Sequence, residues 1–350
     1  MSVKATAITS RLLAWYDAHQ RVFPFRGTKD PYRIWLSEIM LQQTRTETVG
    51  PYYERFLRLF PDVHILAKAP IEQVLKAWEG LGYYTRARNL HKTAGIIVKD
   101  HGGVFPSTAQ GLQKLPGIGP YAAAAIASIA YGEPVPAMDG NLYRVISRLF
   151  LYMQDTGTAR AKKELQALGL SLMPHTHAGD MNQALMDLGA TICLPGTPDC
   201  DKCPLSEDCA AFKAGNPASL PMMKAKKPPK QVPVSVVLLV CDGHVLLLKR
   251  EKALLKGMYL FVLSEGEDSL MAAEKAAKKY AKDCCDVQVL GTARHVFTHQ
   301  VWNMTIYLAR ARSCAPVKNG VWASCSQLDA LPVPVAMNAA LSYARKLVNS

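Results

Sequence analysis

From residue 9 to about residue 214, apolar positions recur three and four apart in long segments broken by proline and glycine, the spacing of amphipathic helices. Asp30-Pro31 predicts one helix start, with the aspartate as cap and the proline in the first turn, and that helix runs to Gln43; Ser107 opens another toward Leu115. Between residues 216 and 233 the texture changes to NPASLPMMKAKKPPKQVP, where five prolines and four lysines read as a linker. Beyond it, residues 234–240 and 245–248 flank Asp242-Gly243, a favoured hairpin turn, and a Lys-rich helical stretch follows over 269–281. The pattern predicts a multidomain chain: a mainly α-helical region over 1–215, a linker over 216–233 and a small α/β domain over 234–350. No internal repeat interrupts it.

Length agrees, since 350 residues exceed one typical core and suit two or three domains. Forty-one Lys and Arg against 28 Asp and Glu leave a net charge of +13, which favours a polyanionic partner, although a solvated basic surface gives the same number. Arg11 and Asp17 interrupt the apolar residues of the N-terminus, so no secretory h-region is expected there. The Ala-rich uncharged stretch 121–131 is far short of the roughly 20 apolar residues a membrane helix needs. Four of the nine cysteines crowd into 193–209, which points to a metal site in a reducing compartment. The expectation is a cytoplasmic monomer with no membrane association, nucleoid-associated if bacterial.

Two carboxylates stand out. Glu38, in WLSEIMLQQT, is the only acid between Asp30 and Glu47, and helical spacing stacks it with Ile34, Trp35 and Leu41. Burial in such a stripe raises a carboxyl pKa and keeps a proton for general acid catalysis, whereas a glutamate at the stripe's edge would do neither. Asp139, in PAMDGNLYRV, reads first as an ordinary cap of the helix beginning near Asn141; with Glu38 it can complete the carboxylate pair that cleaves glycosidic bonds.

Between them, LPGIGPYAAAAIASIA places Gly117 and Gly119 in a tight turn before an Ala-rich helix. Exposed amides there can bind a phosphate without reading sequence, and any helix-turn-helix junction can use the same glycines. Cys193, Cys200, Cys203 and Cys209 follow a Cys-x6-Cys-x2-Cys-x5-Cys spacing stiffened by Pro195, Pro198 and Pro204, which implies a metal; zinc would also accept four thiolates. The remaining cysteines, among them Cys241 and Cys314, read as core or surface thiols.

Taken in order, Glu38 in WLSEIMLQQT, the GLGYYTRARNL run from Gly80, LPGIG, MDGN and the four-cysteine loop resemble the adenine DNA glycosylase family. The resemblance covers the helical region nearly end to end. It implies a helix-hairpin-helix fold with the hairpin at about 111–125, a [4Fe-4S] cluster held by Cys193, Cys200, Cys203 and Cys209, and a Nudix-like lesion-recognition domain at the C-terminus. The activity implied is monofunctional excision of adenine opposite 8-oxoguanine or G in double-stranded DNA. Glu38 would protonate adenine N7 and Asp139 would stabilise or trap the sugar cation, with Tyr121 and Asn141 positioning Asp139 and the sugar. Gln43 and Tyr83 match residues that wedge into the duplex, Thr44 and Leu81 match contacts to the opposite base, and Arg26 and Gln183 match the adenine pocket. Phe297, Thr298 and His299 match the residues that contact the lesion.

The sequence departs from the family in Phe25, where tryptophan is usual, in Thr298, where serine is usual, and in GMYLFVL from Gly257, which lacks the usual Trp and Pro. The alternative reading is a bifunctional endonuclease III-like glycosylase/lyase acting on oxidised pyrimidines, but that branch carries the Schiff-base lysine where this chain has Tyr121. Nucleotide diphosphate hydrolysis by the C-terminal domain is disfavoured, because MAAEKAAKKYAK offers only Glu274 where metal-binding glutamates would cluster.

Overall fold

Asp30 Oδ1 accepts a hydrogen bond from Tyr32 N at 2.9 Å in the computed structural model, and this cap, with Pro31 in the first turn, starts the helix Pro31–Leu41. The structure describes residues 3–223 and 228–348; residues 224–227 of the expected linker lie outside the described residues. The helix stops two residues earlier than its pattern suggests, because Gln42 turns extended and Gln43 takes a left-handed φ of 58°. Eight of its eleven residues are buried, from Tyr32 through Met40, so it is apolar nearly all round. Glu38 is one of the eight, and an edge position is thereby excluded. The next expected start is displaced by one residue: Thr108, not Ser107, caps the short helix Ala109–Leu112, its Oγ1 accepting from Gly111 N at 3.1 Å.

The chain divides into two compact units, one of Met1–Lys68 with Asn89–Ala225, the other of Ala69–Arg88 with Lys226–Ser350. In the first, the helices Val3–His19, Gly140–Leu149, Ala159–Ser171 and Ala178–Thr191 bury a core that includes Leu12, Ile146, Leu165 and Leu185. Pro120–Tyr131 packs against both Pro31–Leu41 and Ala178–Thr191. Its alanines allow that approach, and so does Gly179, where a Cβ would stand 2.8 Å from Ile129 Cα. Gly117 has φ +78° and leaves no room for a side chain, since a Cβ would come within 2.6 Å of Asn89 Cβ.

The second unit contains a seven-stranded sheet: β1 Lys230–Cys241, β2 His244–Lys249, β3 Tyr259–Leu260, β4 Val262–Glu265, β5 Cys285–Val296, β6 Gln300–Arg310 and β7 Gly320–Ala323. The order is β3-β2-β1-β6-β5, with β4 also pairing β1 and β7 pairing β2. The β1–β2 turn takes positive φ at both Asp242 (44°) and Gly243 (70°), as a two-residue Asp-Gly hairpin requires. β1 begins at Lys230, inside the stretch read as linker, because its first residues pair in parallel with β6, Lys230 opposite Gln300. Ser269 caps the helix Leu270–Lys278, whose Ala273 and Ala277 pack on Val237, Leu239 and Tyr307 of the sheet. Among the described residues no helix is long and apolar enough to cross a membrane.

Candidate active site

A cleft of about 750 Å³ opens in the first unit between the helices that carry the two carboxylates. Glu38, Tyr121, Asp139, Asn141, Arg26 and Gln183 all line it, as does Thr44. Seven positions drawn from four separate stretches of the sequence thus face one space.

Glu38 is 7% exposed. Burial pushes its carboxyl up to about 7; a hydrogen bond from Tyr121 and the charge of Arg26 oppose the rise, and Asp139 adds to it. Tyr121 Oη donates to Glu38 Oε2 at 2.6 Å. Burial and the neighbouring Glu38 charge raise the phenol well above its ordinary pKa, so Tyr121 stays a donor. The resemblance pairs Tyr121 with Asp139; the structure gives its hydrogen bond to Glu38.

Asp139 is both cap and cleft residue. Its Oδ1 accepts from Leu142 N at 2.7 Å and starts Gly140–Leu149, while Oδ2 accepts from Asn141 Nδ2 at 3.1 Å. Burial raises its pKa, and the backbone bonds from Leu142 and Asn141 hold part of that rise back. Arg144 in turn donates to Asn141 Oδ1 at 2.8 Å and fixes the amide.

Pattern reading misses Asp187, on Ala178–Thr191. Its Oδ2 accepts from Arg26 Nη1 at 2.5 Å and its Oδ1 from Arg26 Nη2 at 2.8 Å and Arg21 Nε at 2.8 Å. The only local signal is an acid flanked by Leu185, Met186 and Leu188 on that helix, since the partners lie more than 160 residues away.

Two family models match the chain: HhH-GPD superfamily base excision DNA repair protein over residues 36–169, and NUDIX domain over 235–343. The adenine DNA glycosylase of Mus musculus is 32% identical, aligned over 89% of this chain and 73% of its own length. That of Buchnera aphidicola subsp. Baizongia pistaciae (strain Bp) is 35% identical over 85% of this chain and 83% of its own length. The chain belongs to the adenine DNA glycosylase family. A solved thermostable thymine-DNA glycosylase superposes with a TM-score of 0.54 at 31% identity, covering 60% of this chain and 97% of that one. As a member of the adenine DNA glycosylase family, the chain has an N-terminal helix-hairpin-helix glycosylase region and a C-terminal Nudix-like α/β domain.

The remaining expected residues lie elsewhere than the cleft. Gln43 is exposed just past Leu41, and Gly119 precedes the first turn of Pro120–Tyr131. Leu81 and Tyr83 fall in the 69–88 segment of the second unit, Leu81 buried and Tyr83 exposed. Phe297, Thr298 and His299 form the tip of the β5–β6 hairpin, closed by Phe297 N donating to Gln300 O at 2.8 Å. Phe297 is half-buried, edge-on to His295 and Trp302, while Thr298 and His299 are exposed. Tyr83 Oη lies 2.9 Å from Thr298 Oγ1. Glu274 is ion-paired with Lys278.

The iron-sulfur expectation is corrected. Cys193, Cys200, Cys203 and Cys209 are free thiols. With Arg148, Phe212 and their neighbours they line a small pocket of about 20 Å³. Burial pushes the Cys203 thiol up to about 11 and raises Cys200 and Cys209 as well. Among the described residues, the one group of three ligand atoms within 4.8 Å of one another is Cys241, Asp242 and Cys314. Cys241 and Cys314 are joined in a disulfide, which removes both as thiolate ligands and also corrects their reading as free thiols.

Proposed function

We infer that this chain excises adenine from double-stranded DNA in which it stands opposite 8-oxoguanine or G. The observation that carries the reading is the buried Glu38, held to about 7 and facing the same cleft as Asp139. A carboxyl near neutrality is protonated in a useful fraction of molecules and is strong enough to protonate a leaving base.

With the adenine turned out of the stack into the cleft, the proton of Glu38 goes to N7, and the bond between the base and C1′ breaks as its electron pair moves to the purine. Positive charge develops on the sugar, where the Asp139 carboxylate, oriented by Leu142 N and Asn141, stabilises it. Water then adds at C1′, its proton passing to the Glu38 carboxylate left by the first step, and an abasic site remains. Arg26 and Gln183 line the cleft where the base must sit. The amides ahead of Pro120–Tyr131, reached through the Gly117 turn, suit a DNA phosphate, and the net charge of +13 suits the polyanion as a whole. Gln43, Tyr83, Thr44 and Leu81 take the duplex contacts, and Thr298 with His299 reads the opposite base. The protein acts as a monomer in the cytoplasm, on nucleoid DNA if bacterial.

Single-turnover excision from duplexes bearing A opposite 8-oxoguanine, G, C or T tests the reading. Faster release opposite 8-oxoguanine and G than opposite C and T is the expected result, and release of oxidised pyrimidines with strand cleavage would favour the glycosylase/lyase alternative.

A further inference from the structure

The cleft holds more charge than the excision step uses. Arg21 and Arg26 enter from the segment after the first helix, Glu38 from Pro31–Leu41, Tyr121 from Pro120–Tyr131 and Asp139 from the cap of Gly140–Leu149. Outside that lining, on Ala178–Thr191, Asp187 is buried against both arginines, 1% exposed in its side chain. Nearer the mouth, Lys29, Arg45, His177 and Asp180 also line the space. In such a cluster the partner chosen by each cation decides how much positive charge Glu38 faces.

Asp187 makes that choice for two arginines at once. Five nitrogens reach its two oxygens: Arg21 N at 3.2 Å, Arg21 Nε at 2.8 Å, Arg21 Nη2 at 2.6 Å, and Arg26 Nη1 and Nη2 at 2.5 and 2.8 Å. The Arg26 fork is bidentate, which fixes its plane as well as its position. The rings of Phe23 and Tyr16 stand 5.3 and 5.9 Å from its guanidinium carbon. Arg26 so held cannot turn to Glu38 or Asp139, both of which would otherwise compete for it.

We propose that Asp187 is a positioning residue for adenine excision, holding Arg26 beside the base pocket and withholding its full charge from Glu38. The proposal rests on the reading of Glu38 as the general acid. Burial alone would raise the Asp187 carboxyl, but the bonds and charges of Arg26 and then Arg21 bring it below the usual range, so it stays anionic throughout the working pH. An Arg26 released toward Glu38 favours the carboxylate there and removes the proton the reaction needs.

The test is the pH profile of single-turnover excision of A opposite 8-oxoguanine by the full chain. Wild type loses rate as pH rises through the Glu38 transition. Asp187→Asn removes the carboxylate from both arginines and moves that limb to lower pH by about one unit, so that about fiftyfold is lost between pH 6 and pH 8 where wild type loses about tenfold. Asp187→Glu keeps the charge and returns the limb toward wild type. Arg26→Gln with Asp187→Asn has the wild-type net charge in this cluster and also returns it. Arg26→Gln alone, with Asp187 still on Arg21, moves the limb to higher pH and serves if Asp187→Asn does not fold. An unmoved limb in Asp187→Asn or in Arg26→Gln overturns the proposal, because a merely structural ion pair lowers yield or amplitude without shifting a titration. Glu38→Gln separates the two levels: if it abolishes excision while the limbs stay fixed, only the role of Asp187 falls; if it leaves excision intact, the general acid falls too.

Discussion

Tyr121 Oη and Glu38 Oε2 are 2.6 Å apart, and the phenol is the donor. The bond favours the ionised carboxyl, so it works against burial and keeps Glu38 near neutrality instead of higher. Tyr121→Phe should raise the Glu38 pKa and carry the alkaline limb of excision to higher pH, by about one unit. The pH dependence of single-turnover rates measures this; a limb that stays in place means the bond does not tune the acid.

Glu38→Gln keeps the shape of the side chain and removes its proton. Excision should fall by about 10²–10⁴-fold while duplex affinity stays near wild type, measured by product release and by gel shift on the same preparation. A rate within about threefold of wild type, the scatter of such assays, takes Glu38 out of the mechanism.

The same substitution has an opposite effect on stability. Glu38 has a pKa of about 7 in the folded chain against 4.5 as its ordinary value, so the folded state binds the proton more tightly. Its favourable contribution is complete below about pH 4.5 and is lost as pH rises through 7. Glu38→Gln should therefore gain stability over wild type on going from pH 5 to pH 8, by a few kcal/mol at the upper end. Thermal unfolding at the two pH values decides it, and an equal difference at both denies the burial of a titrating carboxyl.

Asp139 allows its two roles to be separated. Asparagine caps a helix as well as aspartate does, so Asp139→Asn should keep the unfolding temperature close to wild type yet lose excision on the scale of Glu38→Gln. Asp139→Ala should lose excision and also about 1 kcal/mol of stability with the Leu142 bond. If Asp139→Asn is as active as wild type, the residue is a cap and nothing more.

How much of this was legible depended on the range of the interaction that fixes each feature. The Asp30 cap, the Asp242-Gly243 turn and the apolar setting of Glu38 are written within a few residues, and the sequence pattern carries them. Asp139 was ambiguous because cap and cleft use the same carboxylate, and only the fold puts Glu38 in the cleft beside it. Asp187, the parallel pairing of β1 with β6 and the 73-residue span of the Cys241–Cys314 disulfide depend on distant partners that no local period records. The four-cysteine spacing suggests a cluster, but spacing does not fix how close the sulfurs come in the fold, and among the described residues the close ligand atoms are those of Cys241, Asp242 and Cys314. Residues 69–88 look helical like their neighbours, yet they belong to the unit of the sheet.

That last point bears on how the opposite base is read. Tyr83 adopts φ +47°, leaves 47% of its surface exposed and meets Thr298 at 2.9 Å within the second unit. Deleting the chain beyond residue 232 would strip 69–88 of its partners along with the hairpin, so point substitutions are the cleaner probe. Phe297 anchors the hairpin tip on His295 and Trp302, and this leaves the Thr298 hydroxyl and His299 outermost. A hydroxyl engaged with Tyr83 still has a further lone pair, which can accept from the N7–H of 8-oxoguanine, where guanine has only a lone pair of its own. Thr298→Ala with His299→Ala should shrink the preference for A opposite 8-oxoguanine over A opposite G by the worth of one or two hydrogen bonds, about 1–3 kcal/mol or roughly 5- to 150-fold. Tyr83→Phe removes only the bond that steadies Thr298, and should shrink the preference by less, roughly 2- to 10-fold. Excision of A opposite G should change little in either variant, because the cleft of the first unit is untouched. If the double variant keeps the wild-type ratio of the two rates, the hairpin tip does not read the lesion.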